Sequence, residues 1–372
     1  MKTFEKIIED AGEKLPFAAG VRVGSALFFP MLREFFATTH DGETVERFTM
    51  MNKNGLLARF ISWGAGLVEL QAPEREGTLA DVTLGFDTPE PWLGVHPYFG
   101  VIAGRYANRI ARGKFSLDGK VFTLATNNGA NHLHGGNAGF DKRNWRAEIL
   151  TENAVRFSLT SADGDEGYPG TLEVAVIYTL TDDNELRLDY EATTDQPTVL
   201  NLTNHTYWNL GSAPDILAHE LTLHASRFTA VDAASIPTGE LPAARGAMDF
   251  TKAKAIGRDI AALKDEAGGG YDHNWVLDGC EDGKMTCAAE LHDPASGRVM
   301  TVFTTEPGIQ FYSGNYLDGL VGSAGRIYGK HSGLCLETQH FPDSPNHPNF
   351  PMTILRPGEK FRSTTVYRFS VA

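Results

Sequence analysis

From Glu43 onward the chain is built of short runs in which apolar and polar residues alternate. Each run is closed by Gly, Asp or Asn. Residues 115–122, 155–159, 172–178, 185–190, 299–305 and 364–369 all read this way. Alternation with a period of two sends successive side chains to opposite faces, so these runs predict strands with one buried face. Many short strands at turn-marked spacing predict an all-β sandwich or barrel. Asp118-Gly119, between two such runs, predicts a two-residue hairpin turn. Helical signals are few; residues 257–266, ending at Gly268-Gly269-Gly270, predict one short helix. No internal repeat and no Pro- or Ser-rich linker divides residues 43–372, which are therefore expected to form one large domain.

Residues 1–42 differ in character and are expected to be a partly helical N-terminal extension. Residues 4–11 predict a short helix, and Phe28, Phe29, Phe35 and Phe36 are candidates to pack it onto the body. The apolar stretch at 15–32 is interrupted by Arg22 and preceded by Glu5, Glu9, Asp10 and Glu13, the wrong sign for a secretory or mitochondrial leader. No apolar run is long enough to span a bilayer. A net charge of −14 argues against nucleic acid or an anionic membrane as partner, and leaves a neutral ligand open. Cys280, Cys287 and Cys335 are odd in number and lack metal-binding spacing, which predicts reduced thiols in a cytoplasmic protein.

Five polar clusters stand out. In the first, Asn108 and Arg109 follow Gly104-Arg105-Tyr106-Ala107; they suit either a solvated strand end or donors to ligand oxygens, since guanidinium donates and never accepts. The second is Asn131-His132-Leu133-His134-Gly135-Gly136. Two histidines two apart can mimic a metal pair, but no third ligand lies near in sequence, and His134 beside two glycines has room for a close-approaching ligand. The third is His205 in Asn201-Leu202-Thr203-Asn204-His205-Thr206-Tyr207-Trp208-Asn209. The fourth is Tyr271-Asp272-His273-Asn274-Trp275, where Asp272 could accept from vicinal hydroxyls or simply open a turn. The fifth is Glu337 in Cys335-Leu336-Glu337-Thr338-Gln339, with Gln310 as companion. A carboxyl and an imidazole are the groups most readily tuned to exchange protons near neutrality. There is no phosphate loop, dinucleotide fingerprint or nucleophile elbow. Acid–base chemistry on a neutral polyol, or its simple binding, remains.

These motifs, with Pro307-Gly308-Ile309-Gln310-Phe311-Tyr312-Ser313-Gly314-Asn315, occur in one order that resembles the aldose 1-epimerase (galactose mutarotase) family. The resemblance runs from about Glu43 to the C-terminus. It implies a large antiparallel β-sandwich of the galactose mutarotase type, no metal and no organic cofactor, and a free monosaccharide as substrate. By motif, Glu337 matches the general base and His205 the general acid. Asn108, Arg109, His134, Asp272 and Gln310 match substrate-binding positions. Two departures are visible: residues 1–42 precede the family's usual start, and Glu306 stands where Gln is common, placing a possible second carboxylate near the site.

The chemistry implied is anomer interconversion. Glu337 would take the proton of the anomeric hydroxyl while protonated His205 gives one to the ring oxygen; rotation about C1–C2 and reversal complete the cycle. Rival expectations are a non-catalytic sugar-binding module on the same fold and glycoside cleavage by Glu337 with Asp272 or Glu306. A phosphosugar epimerase is disfavoured, because no added Lys or Arg cluster accompanies the motifs.

Overall fold

The computed structural model describes residues 21–23, 26–28, 30–266, 268–281 and 283–372. The expected helix at 4–11 lies outside them, as do the side chains of Phe28 and Phe29. Most of the elements described are strands. The longest helical segment among the described residues is Pro89–Leu93, a single turn with Pro at its start, where a missing N–H does no harm.

Three antiparallel sheets carry the architecture. The largest has nine strands, in the order 146–151, 154–161, 172–180, 185–194, 361–371, 298–304, 286–292, 220–223, 254–255. A five-stranded sheet runs in chain order from Leu32–Thr38 through Thr44–Met51, Leu57–Ile61 and Gly66–Pro73 to Leu79–Asp81. The third orders its strands 207–208, 334–339, 308–312, 272–276, 227–228. One continuous apolar core joins them: Phe48, Phe60 and Leu67 from the second sheet, Val155, Val176 and Leu188 from the first, and Trp275, Ile309, Phe311, Leu334 and Leu336 from the third. Each large side chain fully buried there contributes roughly 1.5–3 kcal/mol of transfer free energy. This is the all-β sandwich that the alternation predicts.

The Asp118-Gly119 turn forms as expected, both residues at positive φ (50° and 78°), between the paired strands Lys114–Leu117 and Lys120–Thr123. Residues 257–266 depart from expectation. They form two 3-10 turns, Ile256–Arg258 and Ile260–Leu263, instead of one helix. Asp259 between them holds φ −118° and ψ 2°, off the helical values, and the amides of Ala262 and Glu266 bond three residues back, to the carbonyls of Asp259 and Leu263, instead of four. At the N-terminal side, the strand Leu32–Thr38 pairs with Thr44–Met51 from Leu32↔Thr49 to Thr38↔Thr44, so the sheet reaches back before residue 43. On that edge strand Phe36 packs on a buried apolar cluster while Phe35 points to solvent.

Candidate active site

The third sheet positions Glu337 and its neighbours through its register. Glu337 lies opposite Gln310, and Gln310 opposite Asn274. One pleat away, Cys335 lies between Tyr207 and Tyr312, and Tyr312 opposite Asp272. Cross-strand partners, and residues two apart along a strand, share a face. Cys335, Glu337, Gln310, Tyr312, Asp272 and Asn274 therefore look the same way, opposite to the core residues Leu334, Leu336, Ile309 and Phe311. The whole Leu334–Gln339 strand is buried, by the core on one face and by the site on the other.

His205 arrives from outside that sheet. Its N–H donates to the Val101 carbonyl (2.9 Å) and its carbonyl accepts from Gly100 N–H (3.1 Å), which pins the backbone on both sides. Its Nε2 lies 3.7 Å from Glu337 Oε1, and the two side chains are only 6% and 3% exposed. Tyr207 and Tyr98 stack on its ring, with centroids at 5.3 and 5.6 Å. His134 is the third member, its ring centroid 5.1 Å from that of His205. It sits at φ 48° directly before Gly135 (φ 88°). A Cβ on Gly135 would fall 1.7 Å from the Gly104 carbonyl oxygen, so the loop carrying His134 can reach the site only with glycine there.

The remaining sequence-predicted residues join the same assembly. Gln310 Nε2 donates to Asp272 Oδ1 at 2.7 Å, and Arg109 Nη1 lies 3.8 Å from Asp272 Oδ2. Arg109 Nε donates to Asn128 Oδ1, and its backbone N–H to Asn108 Oδ1 (2.9 Å). Asn108 N–H donates to His134 Nδ1 (3.2 Å), which ties the Asn108–Arg109 segment to the histidine loop. Asn128, Arg109, Asp272 and Gln310 thus form one connected line of donors and acceptors beside the Glu337–His205 pair.

Burial dominates the electrostatics. It pushes Glu337 well above the usual carboxylate range; Asp272 adds to this and Arg109 opposes it. Oε2 of Glu337 has no hydrogen-bond partner among the described residues. Burial likewise pushes His205 down to about 4. His134 is driven down by burial first, then by His205, Arg109 and Lys142. The site thus disfavours separated charges on His205 and Glu337, and favours any transfer that neutralises both.

Two neighbours of the pair were not singled out from sequence. Tyr98 holds φ 62° and lays its ring 4.7 Å from His134, with Lys142 Nζ 5.5 Å from its centroid. It belongs to no polar cluster, so nothing local marks it. Cys335 Sγ lies 3.5 Å from His205 Nδ1. Its spacing of two from Glu337 in a strand was the available signal.

His134, His205 and Glu337 bring ligand-capable atoms within 4.8 Å of one another. Two imidazoles and a carboxylate are a donor set that zinc can use. The surroundings do not fit a metal, however. A metal-bound imidazole donates its other N–H to an acceptor, whereas His134 Nδ1 receives a hydrogen bond from Asn108 and so keeps its own proton on Nε2. His132 is apart from this trio, bonded to the Ala125 carbonyl and to Tyr168 Oη. Glu306 is likewise separate. It pairs with His340 Nδ1 at 2.6 Å, four residues, or roughly 13 Å of extended chain, from Gln310.

Residues 46–368 match the model of the aldose 1-epimerase family. The chain belongs to the aldose 1-epimerase family. Within it, the chain is 49% identical to the galactose mutarotase of Bos taurus over 333 residues, covering 88% of this chain and 95% of the bovine protein. It is 40% identical to the aldose 1-epimerase of Escherichia coli K12, covering 91% of this chain and 99% of the bacterial one. Among solved structures, an aldose epimerase homologue from C. elegans superposes with a TM-score of 0.80 at 32% identity, over 87% of this chain and 98% of that one.

Proposed function

We propose that Glu337 and His205 act as base and acid in the anomer interconversion that this enzyme catalyses on free aldoses. The activity is that of an aldose 1-epimerase. The observation that carries the residue assignment is the buried approach of His205 Nε2 to Glu337 Oε1 at 3.7 Å. An anomeric hydroxyl and a ring oxygen are bonded to the same carbon, so base and acid must stand close together to serve both.

The cycle needs one proton on the pair. With the sugar bound, Glu337 takes the anomeric proton as His205 gives one to the ring oxygen, and the C1–O5 bond opens to the aldehyde. Rotation about C1–C2 exposes the other carbonyl face. Glu337 then returns its proton to the carbonyl oxygen as His205 withdraws one from the C5 hydroxyl. Opening converts imidazolium and carboxylate into imidazole and carboxylic acid, the charge state that burial favours on both groups. A positioned acid or base contributes roughly 10²–10⁴-fold each. Arg109, Asn108, His134, Asp272 and Gln310 hold the hydroxyls, so the freed aldehyde turns without leaving. The bond from Gln310 and the nearness of Arg109 support Asp272 as a hydroxyl acceptor.

Likeness to proteins named galactose mutarotase supports galactose as a substrate, and likeness to an aldose 1-epimerase supports aldoses more widely. A cytoplasmic setting is supported by three cysteines that form no disulfide. No helix among the described residues is long and apolar enough to cross a membrane. The test is polarimetry on freshly dissolved α-galactose and α-glucose, with the methyl α-glycosides as controls. Catalysed decay is expected for the free sugars alone. Release of reducing sugar from a glycoside would replace this reading with glycoside cleavage.

A further inference from the structure

The acid–base cycle places a demand on the far side of the His205 ring. A nitrogen that has given its proton to the ring oxygen must be the one to take a proton back. Nε2 can do so only if the ring's remaining N–H stays on Nδ1 throughout; otherwise the neutral imidazole presents a second donor where an acceptor is needed. Something must therefore receive the Nδ1–H. In histidines that serve as acids or metal ligands, a carboxylate or carbonyl usually fills that role. Here, besides the residue's own backbone carbonyl, the side-chain hydrogen-bond contact of Nδ1 among the described residues is Cys335 Sγ, at 3.5 Å. The titratable groups around the ring are Glu337 at Nε2, His134, Tyr98 and Tyr207 packed on it, and Asp272 and His96 beyond. None of these bonds to Nδ1.

We propose that Cys335 is a positioning residue whose sulfur accepts the Nδ1–H of His205, keeping Nε2 as the nitrogen that gives and takes the proton. The inference rests on the reading of His205 as the acid. The placement is rigid. Cys335 is fully buried and locked in the ladder between Tyr207 and Tyr312, two residues from Glu337. Burial, then Glu337 and Asp272, hold its thiol well above the usual range, so the partner is a neutral sulfur and not a thiolate. A neutral sulfur is a weak acceptor. It fixes which nitrogen bears the idle proton without stabilising the imidazolium as a carboxylate would. The proton on Nε2 therefore stays acidic enough for a weakly basic ring oxygen.

Nitrogen-15 NMR of the histidine-labelled enzyme reads the tautomer directly. Neutral His205 is expected with its proton on Nδ1; a proton on Nε2 overturns the proposal, whatever the mutants do. In kinetics, Cys335→Ala should lower kcat about threefold to tenfold, the worth of one hydrogen bond, with KM changed less than twofold. Cys335→Ser should restore most of kcat. As a stronger acceptor, it should also move the acid limb of the pH profile to higher pH than in the alanine variant. A folded Cys335→Ala enzyme with wild-type kcat and an unmoved acid limb refutes the role. If the alanine variant does not fold, the tautomer and the serine variant decide. Loss of the tautomer preference while His205→Asn still abolishes activity would sink this inference alone; an active His205→Asn would sink the reading beneath it.

Discussion

The pH dependence of kcat/KM should follow the proton count of the Glu337–His205 pair. With ordinary values of 4.5 and 6.5, a single proton placed on the imidazole would persist only between those limits. By pH 7.5 about one-tenth of such an enzyme would still hold it. The buried site changes this. His205 is pushed down to about 4, so a second proton joins the pair only near that pH. Glu337 is raised, so the last proton is lost only above the usual carboxylate range. Moving His205 from 6.5 to about 4 corresponds to roughly 3 kcal/mol against the doubly protonated, inactive pair. The rate, measured by polarimetry and corrected for buffer-catalysed mutarotation, should be flat from about pH 5 upward until Glu337 gives up its proton, above the usual carboxylate range. It should fall tenfold per pH unit below about 4, with far-ultraviolet circular dichroism confirming the fold at each point. An acid limb near 6.5 would refute the reasoning, because it would mean that His205 titrates as a solvated imidazole.

Three further outcomes follow from the same geometry. Glu337→Gln should raise thermal stability as well as remove the base. A carboxyl raised in the folded state contributes stability that is full below about 4.5 and lost as pH rises through its folded value, so the advantage of Gln measured by differential scanning calorimetry should grow from pH 4.5 to 8; a pH-independent difference would contradict it. Exhaustive chelation should leave kcat unchanged, since His134 offers a metal the wrong nitrogen; loss restored by zinc would overturn this. Deleting residues 1–29 should spare kcat/KM, whereas deleting 1–42 also strips the edge strand Leu32–Thr38 and the contact of Phe36. Burial of a large apolar side chain is worth roughly 1.5–3 kcal/mol, so only the longer deletion should visibly lower Tm; equal melting of the two would show that the edge strand contributes nothing.

Much of this was legible in the sequence because strand alternation carries two messages at once. In residues 172–178 and 185–190 it says which residues enter the core and which face away, and Val174, Val176, Leu186 and Leu188 are the buried set; that reading does not extend to the strand Leu334–Gln339. The Asp118-Gly119 turn was legible because its backbone angles demand those residues. The five polar clusters do converge, yet nothing in their spacing says so. His134, His205 and Glu337 meet through loop paths and a register, Gln310↔Glu337, that joins strands far apart in the chain. Residues 257–266 misled because helix propensity is local, while Asp259, its carboxylate held by Lys254 and Arg258, takes a non-helical backbone that splits the segment into two 3-10 turns. The edge strand Leu32–Thr38 was hidden because Phe35 and Phe36 look alike in sequence, although only Phe36 packs inward. Glu306 drew attention as a carboxylate near the motifs, but His340 holds it apart from the pair.

The central claim is that Glu337 and His205 work as one acid–base unit, and a double-mutant cycle tests it most directly. Initial rates of α-galactose mutarotation would be measured for wild type, Glu337→Gln, His205→Asn and the double variant, with binding of a non-reacting sugar followed separately. Residues that act as a unit are strongly non-additive. Each single change should lower kcat by at least about 10²-fold while sugar affinity stays within severalfold, and the double variant should be little worse than the poorer single. Near-wild-type kcat in either single variant, or two losses that simply multiply in the double, would contradict the account.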